Sequence, residues 1–231
     1  MDERNGGVPS AALLLLADGR FPAGAHAHSG GAEAAVRAGR ITDAASLAAF
    51  CRGRLATAGL IAAALAATAA TGADPAELDT AADARTPSPA LRAVARRLGR
   101  QLLRAGRATW PGPELAALAA AHPGGLHQPV VLGLVGRAAG LGPREVALAA
   151  GYDAVSGPAT AVVRLLGLDP FAATAVLAEL APETDRVADL AVAAALAYPA
   201  AGPEALPAGA APLLEIAAEQ HAAWPVRLFA S

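Results

Sequence analysis

The chain has 231 residues, a formal net charge of −2 and a single cysteine. One cysteine cannot close an intrachain disulfide or supply a four-cysteine zinc module, and all 18 basic residues are arginine, so no P-loop or Schiff-base lysine exists. A disulfide scaffold and nucleotide hydrolysis by the P-loop route are excluded, and a reducing, cytoplasmic setting is expected.

The predicted elements run almost without interruption from one helix to the next. Residues 1–9 read as a flexible, acidic N-terminus, and Leu13–Leu16 is too brief for the apolar stretch of a signal peptide. Ser10 predicts the cap of a short helix over Ala11–Ala17. The segment Asp18-Gly19-Arg20-Phe21-Pro22-Ala23-Gly24 predicts a loop, because its proline and two glycines disfavour a regular element. Ser29 with Glu33 opens a helix that Gly39 closes, and Asp43 caps a longer one through Phe50 and Leu55 to Thr71-Gly72. The uncharged stretch from Leu55 to Ala73 has the length to cross a bilayer. Its only bulky residues are Leu55, Leu60, Ile61 and Leu65, so it reads as a buried core helix.

Asp74-Pro75 and Ser88-Pro89 each place a cap before a proline at the first helical position, where the missing N–H costs nothing. Further starts fall near Pro113, Pro129, Pro143 and Pro170. Pro158 lies inside a helical stretch from Arg144 to Leu166 and predicts a kink or a split. The Pro/Ala/Gly stretch from Tyr198 to Pro212 predicts a flexible link to a C-terminal tail over 213–231. No segment alternates with period two. With apolar residues at 55%, most of them alanine, and aromatics at 3%, the core must come from Leu, Val and Ala on helix faces. The expectation is all-α: one compact bundle of about ten helices over residues 10–212, with the tail tethered to it.

Candidate chemistry is sparse. His26-Ala27-His28 with Glu33 offers two imidazoles and a carboxylate, but two histidines do not make a metal site, and turn geometry, solvent or a partner accounts for them more simply. His122 and His127 lie five apart, off a common helical face, and His221 is remote. Ser29 beside His28 lacks a nucleophile elbow and reads as a cap, while Cys51 reads as a buried thiol. No catalytic residue, metal ligand or cofactor site is expected. Arg92, Arg96, Arg100 and Arg104 recur every four residues and predict one positive ridge, read as a solvated or acid-paired face, a protein-partner surface or a phosphate-binding stripe. Gly99 on the same helix predicts a close helix contact. Near-neutral charge with a mean hydropathy of +0.40 predicts poor solubility without a partner.

Residues 14–33, Leu-Leu-Leu-Ala-Asp-Gly-Arg-Phe-Pro-Ala-Gly-Ala-His-Ala-His-Ser-Gly-Gly-Ala-Glu, followed by Gly39-Arg40-Ile41-Thr42-Asp43, resemble the opening of the urease accessory protein UreF family. Arg92, Gly99 and Leu102-Leu103 resemble a further family helix, and Arg164-Leu165 its Arg-Leu pair. Gln220-His221 with Arg227-Leu228-Phe229-Ala230-Ser231 resembles the family ending. Three departures stand out. His26 occupies a position that is often aromatic, Ala32 replaces the usual Leu, and Leu166-Gly167-Leu168-Asp169 stands where Pro-Leu-Gly-Gln is common.

The resemblance implies an all-helical, non-enzymatic maturation protein that forms a homodimer and engages neither nucleic acid nor membrane. It would bridge UreD (also called UreH) on apo-urease and the nickel-carrying GTPase UreG, so that GTP hydrolysis drives nickel delivery. Partner docking is then expected at Arg20, Phe21, Pro22, Gly24, His26, His28, Ser29 and Glu33 in the turn, at Arg164, and at His221, Trp224, Arg227, Leu228 and Phe229 in the tail. A tail that docks on its own chain and finishes the core is the alternative. Two other functions also fit the residues: a GTPase regulator inserting Arg20 at a transferring phosphoryl group, and a nucleic-acid binder using the Arg92–Arg104 ridge.

Overall fold

Residues 11–230 are described by a computed structural model. They form ten α-helices, with no strand among the described residues. In order these are α1 (Ala11–Ala17), α2 (Ala32–Arg37), α3 (Ala44–Ala70), α4 (Pro75–Ala84) and α5 (Pro89–Thr109), then α6 (Pro113–Ala121), α7 (Gln128–Ala138), α8 (Pro143–Leu166), α9 (Pro170–Ala201) and α10 (Pro212–Ala222). The all-α bundle expected from the sequence is thus what the chain forms. Residues 1–9 and the Ser10 cap lie outside the described residues.

Local chemistry sets the helix starts. The Asp43 carboxylate accepts the Ser46 N–H at 2.8 Å while the Ser46 hydroxyl accepts the Asp43 N–H at 3.0 Å, a reciprocal cap for α3. Asp74, Ser88 and Asp169 accept the N–H groups of Ala76, Leu91 and Phe171 ahead of α4, α5 and α9, each with proline at the first helical position.

The core is built around α3, which packs against α7, α8 and α9. A single π-helical stretch, Leu55–Gly59, lets α3 pass the expected membrane-length segment without a break. Its second half buries Ala63, Ala64, Leu65, Ala66, Ala67 and Ala69, and small side chains allow very close approach. Gly133 of α7 leaves no room for a β-carbon beside the Ala66 carbonyl. Two helices, α3 and α8, are long and apolar enough to cross a membrane, and each is mostly buried inside this bundle.

Two expectations need correction. Of the kink or split expected at Pro158, the split does not occur, and α8 runs from Pro143 to Leu166 as one helix. A proline has no N–H for the carbonyl four residues earlier, and here Arg54 of α3 supplies one, its Nε donating to the Ala154 carbonyl at 3.0 Å. The link from Tyr198 to Pro212 is also not a free tether. Tyr198–Ala201 completes α9, Gly202–Ala205 forms a 3₁₀ turn and Leu206 is buried. The Arg85 guanidinium donates to the carbonyls of Pro203, Leu206 and Pro207, which pins the segment to the bundle.

The arginine ridge on α5 is largely used within the fold. Arg96 pairs with Asp79 at 2.6 Å and Asp83 at 2.8 Å, Arg92 donates to the carbonyls of Thr86 and Pro87, and Arg100 to that of Gly124. Asp83 also meets His127 Nε2 at 2.9 Å, so α4, α5 and the start of α7 share one polar cluster. Gly99 makes the close approach expected of it, against the Leu126 carbonyl just before α7.

Candidate functional site

The turn between α1 and α2 is shaped by its short residues and fastened by its larger ones. Phe21 is buried, its ring stacked on Trp110 with centroids 5.8 Å apart. Gly24 lies tight against the Gln101 side chain of α5. Arg20 projects into solvent, yet its Nε and Nη2 both donate to Asp18, at 3.0 and 2.7 Å, and that guanidinium holds the Asp18 carboxyl down to about 2. Pro22 and His26 are exposed. His28 is half-buried, and burial, aided by the charges of Arg97 and His26, lowers its imidazole to about 4, so it is neutral at pH 7.

The Ser29-Gly30-Gly31 run explains itself by proximity. Ser29 is fully buried and its hydroxyl accepts the Glu33 N–H at 3.2 Å, at the entry to α2. Gly30 and Gly31 have φ of +60° and +91°, the left-handed region where a β-carbon is strained. A β-carbon on Gly30 would stand 3.2 Å from Pro158 and 3.3 Å from the Arg54 guanidinium. One on Gly31 would stand 3.3 Å from Leu214 of α10. The turn therefore touches α3, α8 and the tail at once.

The tail returns across the bundle to meet this turn. On α10, Glu215 accepts the Ser88 N–H at 2.7 Å, and Glu219 accepts the Ala90 N–H at 2.9 Å and the Ser88 hydroxyl, so two carboxylates sit at the amino end of α5. Glu33 clamps the tail at the last turn of α10 and beyond it. His221 Nε2 lies 2.9 Å from one carboxylate oxygen, and the backbone N–H groups of Leu228 and Phe229 donate at 2.8 and 3.0 Å. Burial favours the neutral acid, but these three donors outweigh it and hold the Glu33 carboxyl below its ordinary range. The Ala230 N–H adds a bond to the Ala27 carbonyl at 2.8 Å. Arg37 covers the Trp224 ring at 4.1 Å, and Arg164 covers Phe229 at 4.5 Å while donating to the His26 carbonyl at 3.1 Å.

Most of the residues singled out from sequence thus converge, but within one chain. Phe21, Ser29, Glu33, His221 and Phe229 are buried against the chain itself, while Arg20, Pro22, His26, Arg227 and Leu228 face solvent. Leu228 and Val226 are about three-quarters exposed, at 76% and 77%. Sequence reasoning passed over Arg37, Arg54 and Leu214, whose part depends on packing between distant elements. Among the described residues no group of three or more His, Cys, Asp or Glu side chains is arranged to hold a metal, and Glu33 faces His221 rather than His26 and His28.

Comparison with known proteins agrees with this assembly of motifs. The UreF family model matches residues 41–181. A urease accessory protein UreF of Mycobacterium sp. (strain JLS) is 43% identical over 220 residues, covering 95% of this chain and 97% of its own length. The protein of that name from Mycolicibacterium vanbaalenii is 40% identical over 225 residues, covering 96% and 98%. That of Mycobacterium tuberculosis (strain H37Rv) is 42% identical over 186 residues, covering 79% and 85%. The clamped turn and tail therefore sit in a chain that belongs to the UreF family of urease accessory proteins.

Proposed function

We propose that this chain is a cytoplasmic urease maturation factor that works by docking and carries out no chemistry of its own. It holds UreD (UreH), bound to apo-urease, next to the GTPase UreG, and so couples GTP hydrolysis to nickel insertion; two copies pair to present the surface twice. The reading rests above all on the Glu33 clamp. It fixes the last turn of α10 and the irregular backbone after it, where buried His221 and Phe229 hold the segment in place while Leu228, Val226 and Arg227 point outward. Exposed apolar and arginine side chains on a rigid backbone bind a partner at low entropic cost. Neither alternative finds the same support, since Arg20 is engaged by Asp18 and the arginine ridge by Asp79, Asp83 and backbone carbonyls.

The test is urease in cells from which this gene is deleted. Urease purified from them is expected to be nickel-poor and inactive, and the full chain supplied in trans restores both. Normal nickel content in the deletion strain would refute the reading.

A further inference from the structure

A partly open cavity of about 700 Å³ lies between the turn, α3, the first half of α5, α8 and α10. Close-packed interiors leave few voids larger than a water molecule, whereas small-molecule pockets span ~300–1,000 Å³ and are mostly apolar with a few polar groups. This cavity has that make-up. Ile61 and Leu65 of α3, Leu91 and Val94 of α5 and Leu214 of α10 supply apolar wall.

The polar groups on the wall carry excess positive charge. Arg54 spends its Nε on the Ala154 carbonyl, and its two terminal nitrogens have no hydrogen-bond partner among the described residues. Asp153 acts on it only through space, without a salt bridge. Arg97 forms no ion pair with any described carboxylate. Of the other charged wall groups, Arg85 is committed to backbone carbonyls and Glu215 to the Ser88 N–H, exposed Arg227 adds a further positive charge, and His28 is neutral at pH 7.

We propose that the cavity is a binding site for an organic anion, a carboxylate, sulfonate or phosphate on an apolar body, with its head at Arg54 and Arg97 and its body against α3 and α5. A guanidinium with both terminal nitrogens free in an apolar wall recognises such a head strongly. The site adjoins the docking surface through Arg227, which lines it, while Leu228 and Val226 do not.

The probe is 1-anilinonaphthalene-8-sulfonate, titrated by fluorescence into the full-length chain, beside its sulfonate-free analogue N-phenyl-1-naphthylamine. The sulfonate is expected to saturate at one molecule per chain, to raise the melting temperature, and to bind about tenfold or more tighter than the neutral analogue. Arg54 also supports α8, so the variants are Arg97→Gln, expected to weaken sulfonate binding about tenfold or more, and Ala62→Phe, which fills the cavity and is expected to abolish it. Equal affinity for both dyes in the unaltered protein, or unsaturable binding without a rise in melting temperature, overturns the proposal without recourse to a variant. So does unchanged affinity in folded Arg97→Gln.

Discussion

Glu33 is one carboxylate with three donors from a segment 188 to 196 residues away in sequence. Replacing it with Gln leaves a neutral amide against groups that all donate, and hydrogen bonds to a charged acceptor contribute about 1.5–3 kcal/mol each in buried sites. Glu33→Gln is expected to lower stability by about 2–3 kcal/mol and to expose Arg227 to trypsin, read by urea unfolding and by the rate of tail cleavage. The pH dependence has a definite sign. The folded pKa of Glu33 lies below the unfolded value of about 4.3, so the unfolded state binds more protons in the interval between them. Its contribution is complete above the unfolded pKa and is lost as pH falls through the folded one. Asp83, lowered chiefly by Arg96, adds to the same acid limb. The melting temperature should therefore fall below about pH 4, and less steeply in Glu33→Gln. Sequence placed Glu33 in a telling motif, but nothing local could name His221 as its partner, because the pairing exists only once α2 and α10 meet.

Among the elements, what was legible was what is local. Asp43, Ser88 and Asp169 announce helices because each cap satisfies N–H groups two or three residues on. The split allowed at Pro158 is absent because the compensation comes from α3: Arg54, 100 residues before Ala154, takes over the carbonyl that proline leaves unpaired. The tail link misleads likewise, its carbonyls being held by Arg85 from α4's end. The Pro158 account makes a non-additivity prediction. Arg54→Ala should cost about 1–3 kcal/mol in the native background by orphaning the Ala154 carbonyl. In a Pro158→Ala background the new N–H takes that carbonyl, and the cost should fall by about half or more. Chemical unfolding of the two single variants and the double variant measures the coupling; strict additivity would contradict it.

Across the whole molecule, the bundle and its return strap form one unit. A chain ending at Gly209 loses the Glu215, Glu219, His221 and Phe229 contacts together and opens one wall of the cavity. Its melting temperature is expected to drop by about 5 °C or more, since each kcal/mol shifts a domain of this size by ~2–4 °C. An unchanged melting temperature would mean that the tail contributes nothing to the fold. The overall architecture was readable in advance because it follows from alanine-rich helix faces and proline starts. The way the motifs at the two ends close on one another was not, since it is a property of the assembled bundle. The most direct test of the docking surface is co-purification of the full chain with UreD/UreH and UreG, compared with Leu228→Asp, which alters an outward side chain and leaves the clamp's backbone donors in place. The unaltered chain should recover both partners, and Leu228→Asp should melt at the same temperature yet lose them. Full recovery of both partners by Leu228→Asp, or of neither by the unaltered chain, would contradict the account.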